Sequence, residues 1–235
     1  MHRCFAPLDG SSSCLLTDEE AHHLVHVLRM REGDAVEVTD GKGGLASCVI
    51  RSITKKAVSL EVTDSSFNDA PSRRLHIAVA PTKNMDRFEW FVEKATEVGV
   101  FSIIPLWCEH SERRKMGVDR IRKLVVSASK QSGQVWFPEC HEPLDFAKFI
   151  SQPFDGKRFI AHCRNEEKWP ALSLGGIDSA LVLIGPEGDF SRSETEQAAE
   201  RGFIPLSLGA NRLRTETAAL AAVMAFNLCA SASNG

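Results

Sequence analysis

The chain has 235 residues, 43% hydrophobic and 25% charged, a size and balance that suit one large or two modest globular domains. Its longest apolar runs, such as Leu181 to Ile184 and Ala218 to Phe226, fall short of the ~18 residues a membrane span needs, and the opening MHRCFAPLDG has no signal-peptide apolar core. The net charge of -3 excludes a generally basic nucleic-acid coat, yet residues 71–130 hold 12 Lys and Arg against 7 Asp and Glu.

Any polyanion would therefore be gripped by a central patch including Arg73, Arg74, Lys83, Arg87, Arg113, Arg114 and Lys115, the plainer account being solvated helix faces. In chain order, Thr17 followed by Glu20 and the apolar Ala21, Leu24, Val25 and Leu28 predicts a short helix opened by a capping box. DAVEVTD, LASCVIRSI and KAVSLEV, within residues 33–63, are β-rich, and GKGG at 41–44 supplies a hairpin turn. The polar segment SSFNDAPSRR, 65–74, ends this pattern, so a small β domain is expected over 1–70 and a second domain over 71–235.

From Leu75 onward apolar strands alternate with amphipathic helices, which predicts an α/β domain with a mainly parallel sheet. The expected strands are 75–80, 102–107, 158–163, 181–186 and 203–208. The expected helices are 86–98, ended by Gly99, then 118–130, 193–201 and 217–228. The last helix, TAALAAVMAFNL, is apolar nearly all round, so it must be buried against the sheet, another helix or a second subunit.

Two turns stand out. The strand LVLI stops at Gly185-Pro-Glu-Gly188, where glycines free the backbone to approach a ligand, and Ser191 with Glu194 forms a capping box for the next helix. FIPLSL likewise ends at Gly209 and leads through Ala-Asn-Arg-Leu-Arg-Thr-Glu-Thr into the apolar helix. Ligands of open α/β sheets lie beyond the carboxyl ends of strands, so the two turns can share one pocket suited to a nucleoside cofactor. No P-loop or dinucleotide fingerprint is present. Seven widely spaced cysteines with no CxxC pair point away from a zinc site or a disulfide framework and toward a reducing cytoplasm. His22, His23 and His26 lack the glutamate of H-E-x-x-H and any evident third ligand, so no metal is expected.

GPEG followed by Phe-Ser, then LSLG and LRTETAALAA, resembles the C-terminal signature of the ribosomal RNA small subunit methyltransferase E family of the SPOUT superfamily. The resemblance extends to KATEVG (94–99), Ile-Pro-Leu (104–106), Ser-Glu-Arg (111–113) and HHLVHVLRMREGD (22–34), and so covers nearly the whole chain. It implies a PUA-like RNA-binding β-barrel domain at the N-terminus and a SPOUT domain whose C-terminal region is tied in a trefoil knot. The implied activity is methylation of N3 of a uridine in 16S ribosomal RNA of the small subunit, in the cytoplasm. The implied active unit is a homodimer joined through the knot. S-adenosylmethionine would be held by residues matching His162, Ile184, Gly185, Pro186, Glu187, Gly188, Leu208, Gly209, Leu213, Thr215, Thr217 and Ala218, with Cys163 beside them.

Methyl transfer from a sulfonium depends on positioning and exclusion of water. Uracil N3 carries a proton at neutral pH, so the anion formed on its loss needs stabilising. Arg214 is assigned that role, with Glu216 either a base or the structural partner of Arg214. Arg113 is a candidate contact to the target nucleotide or a phosphate, and Arg3, Arg29 and Arg31 are candidate phosphate contacts. Lys94 and Glu97 are read as a packing ion pair. The chain departs from the family pattern at Gln134, where an arginine is expected, and at Asp189, where GPEGD replaces GPEGG and takes a positive φ less freely. The rival readings are a SPOUT enzyme acting on tRNA or a ribose hydroxyl, and a nucleic-acid-binding protein that no longer catalyses.

Overall fold

A computed structural model describes residues 1–230, which fall into two compact units. The first comprises Met1–Pro71 together with Ser129–Phe137, and the second Ser72–Ala128 with the residues from Pro138 onward. Residues 129–137, which the sequence pattern leaves in the C-terminal domain, thus belong to the first unit.

The first unit is built on β1 (His2–Phe5), β2 (Ser13–Thr17), β3 (Ala35–Thr39), β4 (Gly44–Ile53) and β5 (Ala57–Phe67), in the sheet order β1-β3-β4-β5-β2. The ladder is not closed between β1 and β2 among the described residues, so the hydrogen-bonded sheet is not a complete barrel. Alternating residues of these strands, among them Val36, Val38, Ala46, Cys48, Ile50, Val58 and Leu60, fill its core. The GKGG turn joins β3 to β4 as expected. Gly43 has φ 101°, and a Cβ there would lie 2.5 Å from the Asn68 carbonyl oxygen and 2.9 Å from the Trp136 ring. The glycine therefore serves a close approach as well as the turn: Gly43 N–H donates to the Val135 carbonyl and Phe137 N–H to that of Gly41.

The predicted capping box at Thr17 does not form. The helix α1 (Asp18–His22) begins without a side-chain cap and runs into a π-helical turn, His23–Val27. Glu20 is drawn elsewhere: its carboxylate accepts from Phe5 N–H at 3.1 Å and pairs with Lys130. A charged partner and a strand amide outcompete the local cap.

The second unit is an α/β layer structure. In chain order it contains β6 (Arg74–Val79), α2 (Met85–Val98), β7 (Ser102–Trp107), α3 (Val118–Gln131, whose last turn belongs to the first unit), β8 (Glu139–Cys140) and β9 (Leu144–Asp145). There follow α4 (Phe146–Ile150), β10 (Lys157–Ala161), β11 (Trp169–Pro170), a 3-10 turn (Ala171–Gly176), β12 (Ser179–Ile184), α5 (Arg192–Glu200), β13 (Ile204–Ser207) and α6 (Thr215–Ala230). Every strand pair is parallel, in the order β11-β13-β10-β12-β6-β7-β8, with β9 also beside β7. Strand β12 thus lies between β6 and β10, far from its place in the sequence.

Because side chains alternate across a strand, the sheet feeds two cores. Leu75, Ile77 and Val79 of β6, with Val182 and Ile184 of β12, pack under α2, α3 and α6. Ala78 of β6, with Leu181 and Leu183 of β12, packs with Phe146 and Ile150 of α4, Ala198 of α5, Phe190 and Phe203. Phe88, Phe91, Phe159 and Phe226 are fully buried in the first core, each contributing about 1.5–3 kcal/mol by area. Helix α6 buries Ala219, Ala222, Val223 and Phe226 against α2 and the sheet, while Met224 and Leu228 stay exposed at 42% and 57%. The Ser191 capping box of α5 is complete: Glu194 N–H donates to Ser191 Oγ at 3.2 Å, and Ser191 N–H to Glu194 Oε2 at 2.8 Å.

The expected cationic patch divides. Arg73 is turned inward, donating to the carbonyls of Leu174, Ile177 and Phe226 and lying 4.2 Å from the Phe226 ring centroid. It precedes the first residue of β6, whereas Lys83 and Arg113 to Lys115 follow the carboxyl ends of β6 and β7. Proximity in sequence did not become proximity in space.

Candidate cofactor cleft

Strands β13, β10 and β12 are neighbours, and the loops leaving their carboxyl ends enclose a cleft of about 590 Å³. The loop after β12 contributes Gly185, Pro186, Glu187 and Asp189 beside Ile184; the loop after β13 contributes Leu208 to Arg214, and α6 adds Thr215 and Ala218. The two loops are tied by Thr215, whose Oγ1 donates to the Gly185 carbonyl at 3.0 Å. Gly185 is buried, and a Cβ there would lie 3.1 Å from Phe190 N and from its ring, so a side chain at this turn would press on Phe190.

Of the residues singled out in the sequence, His162, Ile184, Gly185, Pro186, Glu187, Leu208, Gly209, Leu213, Arg214, Thr215 and Ala218 line this cleft. Gly188, Thr217 and Glu216 do not. Gly188 lies against His110, where an added Cβ would be 3.1 Å from His110 Cβ, and Thr217 is exposed on the first turn of α6. The third wall, Ala161 to Lys168 after β10, was legible only at His162 and Cys163. Its sequence CRNEEK is a polar loop with no glycine, and only the placement of β10 between β12 and β13 brings it to the site.

That wall is rigidly bonded. The His162 side chain is 1% exposed, its Nδ1 accepts from Arg164 N–H at 3.2 Å, and so the proton sits on Nε2, which faces Glu166 Oε1 at 2.7 Å. Burial, helped by Lys168 and opposed by Glu166, pulls the His162 pKa below the ordinary histidine value. Lys168 Nζ donates to the His162 carbonyl at 2.6 Å.

Arg214 is exposed at the cleft, and neither its guanidinium nor that of Arg212 has a hydrogen-bond or ion-pair partner among the described residues. Arg214 is therefore not consumed by a loop salt bridge. Glu216 is not its partner: it is 9% exposed, its Oε1 lies 4.0 Å from Arg87 Nε, and its Oε2 is buried without a hydrogen bond. Arg113 is exposed after β7, donating from Nε to the Lys83 carbonyl at 3.2 Å, while Lys83 N–H donates to Glu187 Oε1 at 3.0 Å. The expected Lys94–Glu97 pair forms at 2.8 Å.

In the first unit, Arg3 is committed to the framework. It pairs with Glu37 at 2.8 Å and donates to the carbonyls of Gly133 and Gln134, a use that competes with any phosphate contact. Arg29, with φ 57°, and Arg31 are exposed, and their guanidinium groups have no partner among the described residues. His22, His23 and His26 are exposed and stack, His22 on His26 at 4.7 Å and His23 on His2 at 5.5 Å.

A parallel sheet with a loop-built cleft at its carboxyl edge, bounded by a buried neutral histidine and unpaired arginines, defines an α/β protein equipped to hold a small polar ligand beside an anion. Residues 68–227 match the model of an RNA methyltransferase domain and residues 16–63 that of an RNA methyltransferase PUA domain. The ribosomal RNA small subunit methyltransferase E of Bacillus subtilis is 30% identical over 228 residues, covering 90% of this chain and 88% of that protein. A probable rRNA methyltransferase from Porphyromonas gingivalis is 36% identical, with TM-score 0.87 over 98% of this chain and 100% of the other. A ribosomal RNA small subunit methyltransferase E from Neisseria gonorrhoeae, solved bound to S-adenosyl methionine, is 27% identical, with TM-score 0.86 over 97% of each chain. The chain belongs to the ribosomal RNA small subunit methyltransferase E family.

Proposed function

We propose that this protein uses S-adenosylmethionine to methylate N3 of a uridine in 16S ribosomal RNA of the small subunit, in the cytoplasm, as a homodimer with its C-terminal region knotted. The observation that carries the chemistry is the unpaired Arg214 at a cleft walled by the loops of β10, β12 and β13. The cleft suits the cofactor: its volume lies in the range of small-molecule sites, and its lining carries the carboxylates Glu166, Glu187 and Asp189 and the cations Arg164, Lys168 and Arg212, a charge set that fits a zwitterionic amino-acid moiety and a cationic sulfonium. When bound, S-adenosylmethionine supplies an electrophilic methyl group.

The chain's own residues orient, shield and stabilise. Gly185 and Pro186 bring buried backbone to one side of the cleft, and His162, held neutral, closes another without adding charge. Arg214 donates to the uracil oxygens on which negative charge gathers when N3 loses its proton. Glu216, outside the lining, supports α2 through Arg87 and is assigned no proton transfer. Arg29, Arg31 and Arg113 are assigned to RNA phosphates, which position the substrate without reading its sequence.

The strand order supports the knot, because β12 passes between β6 and β10 and the chain after β13 returns to lay α6 against β6, β12 and α2. The exposed Met224 and Leu228 of α6 and Trp90 of α2, on helices that pack together, support a second copy as their cover. Mass mapping of modified nucleosides in small-subunit rRNA, with and without the protein, tests the function. A methyluridine should disappear on its loss; an unchanged nucleoside profile refutes the substrate.

A further inference from the structure

The strained residue of the cleft is Asp189. It has φ 63°, the left-handed region in which an L side chain other than Asn or Asp is disfavoured, and in which glycine would be unstrained. Each of its polar groups is nevertheless used. Its N–H donates to the Pro186 carbonyl at 2.9 Å, closing a tight turn, and its carbonyl accepts from His110 Nδ1 at 3.0 Å. Its carboxylate Oδ1 accepts from Phe190 N–H at 2.9 Å, and Oδ2 accepts from Cys163 N–H at 2.9 Å.

The last bond matters most. The ladder between β10 and β12 ends at the pair Ala161 and Ile184, after which the two chains diverge into the loops that wall the cleft. The Asp189 carboxylate spans that divergence, joining residues 26 apart in sequence and fixing the backbone directly after His162. A glycine at 189 would relieve the backbone but leave the Cys163 amide without this acceptor, so a merely conformational requirement does not explain the aspartate.

We propose that Asp189 is a positioning residue, a carboxylate clasp that holds the loop after β10 against the loop after β12 and so keeps the cleft in its binding shape before the cofactor arrives. The proposal rests on the reading of the cleft as the cofactor site. Affinity is reduced in proportion to the fraction of molecules with the loop out of place, so the clasp acts on binding through preorganisation.

The test combines hydrogen–deuterium exchange of the unliganded full chain with calorimetry against S-adenosylmethionine, on the parent protein, Asp189→Gly and Asp189→Asn. In Asp189→Gly the segment holding the Cys163 amide should exchange faster, and the Kd should rise about tenfold, the order expected for losing one charge-assisted hydrogen bond. KM for the cofactor should rise by more than kcat falls. Asp189→Asn tolerates the same φ and keeps one acceptor oxygen, so it should fall between the two. Unchanged exchange at Cys163 together with unchanged affinity in Asp189→Gly overturns the clasp. If the parent protein binds no S-adenosylmethionine, the reading of the cleft fails instead, and the exchange at Cys163 still decides whether Asp189 ties the loops.

Discussion

Replacing Arg214 by alanine isolates the step that the cleft geometry assigns to it. The guanidinium is exposed and has no hydrogen-bond or ion-pair partner among the described residues, so truncation strands no buried acceptor and should change stability by no more than about 0.5 kcal/mol. The loop itself is held by other atoms: Ala218 N–H donates to the Arg214 carbonyl at 2.7 Å, and Thr215 Oγ1 to the Gly185 carbonyl at 3.0 Å. Both survive the substitution, so the Kd for S-adenosylmethionine should stay within about twofold, the factor that about 0.5 kcal/mol represents. Methyl transfer should fall by about 10²–10³, roughly 2.7–4 kcal/mol, the cost of removing one preorganised donor from a developing anion. Calorimetry gives the affinity and a radiolabelled methyl-transfer assay on rRNA gives kcat. Equal loss of binding and transfer would refute the reasoning and make Arg214 part of the cleft's architecture.

Arg73→Ala removes a guanidinium that serves the Leu174, Ile177 and Phe226 carbonyls and stacks on Phe226; a loss of about 3 kcal/mol is expected, lowering the melting temperature by roughly 6–12 °C, with Arg73→Lys recovering only part of it. His76 is packed between Phe101 and Phe154, with Nδ1 2.7 Å from Ser102 Oγ, and burial, assisted by His141, pulls its pKa below the ordinary 6.5. The folded chain therefore binds fewer protons there than the unfolded one. The stabilisation is present above pH 6.5 and is lost as pH falls from that value through the lowered folded pKa, so denaturant midpoints should drop on that acid side and drop less steeply in His76→Asn.

What could be read in the sequence was what depends on neighbours along the chain. Strands such as Leu75 to Val79 and Ser179 to Ile184 are apolar on both faces because helices cover both, and GPEG and LSLG marked two of the three cleft walls by their glycines. The Ser191 capping box could be read because both partners lie within one turn. The Thr17 box carried the same local signal and failed, since Lys130 and Phe5 N–H, distant in sequence, compete for Glu20. The third wall was hidden for a similar reason: nothing in CRNEEK reports that β10 will sit between β12 and β13. Asp189 was legible as a departure but not as a bond, because its partner amide is 26 residues away. Charge was the least legible of all, since Arg73 turned out to be a half-buried cap among carbonyls.

The return of residues 129–137 to the first unit bears on how this protein can be recombined. A fragment cut after Pro71 would lose the partners of the hairpin turn, Val135 for Gly43 and Phe137 for Gly41, and the lysine that holds Glu20. An RNA-binding module transplanted from a relative would have to arrive in two pieces, the N-terminal stretch and this short insert, exchanged together. Substitutions in the two pieces should accordingly be tolerated as matched sets and rejected singly.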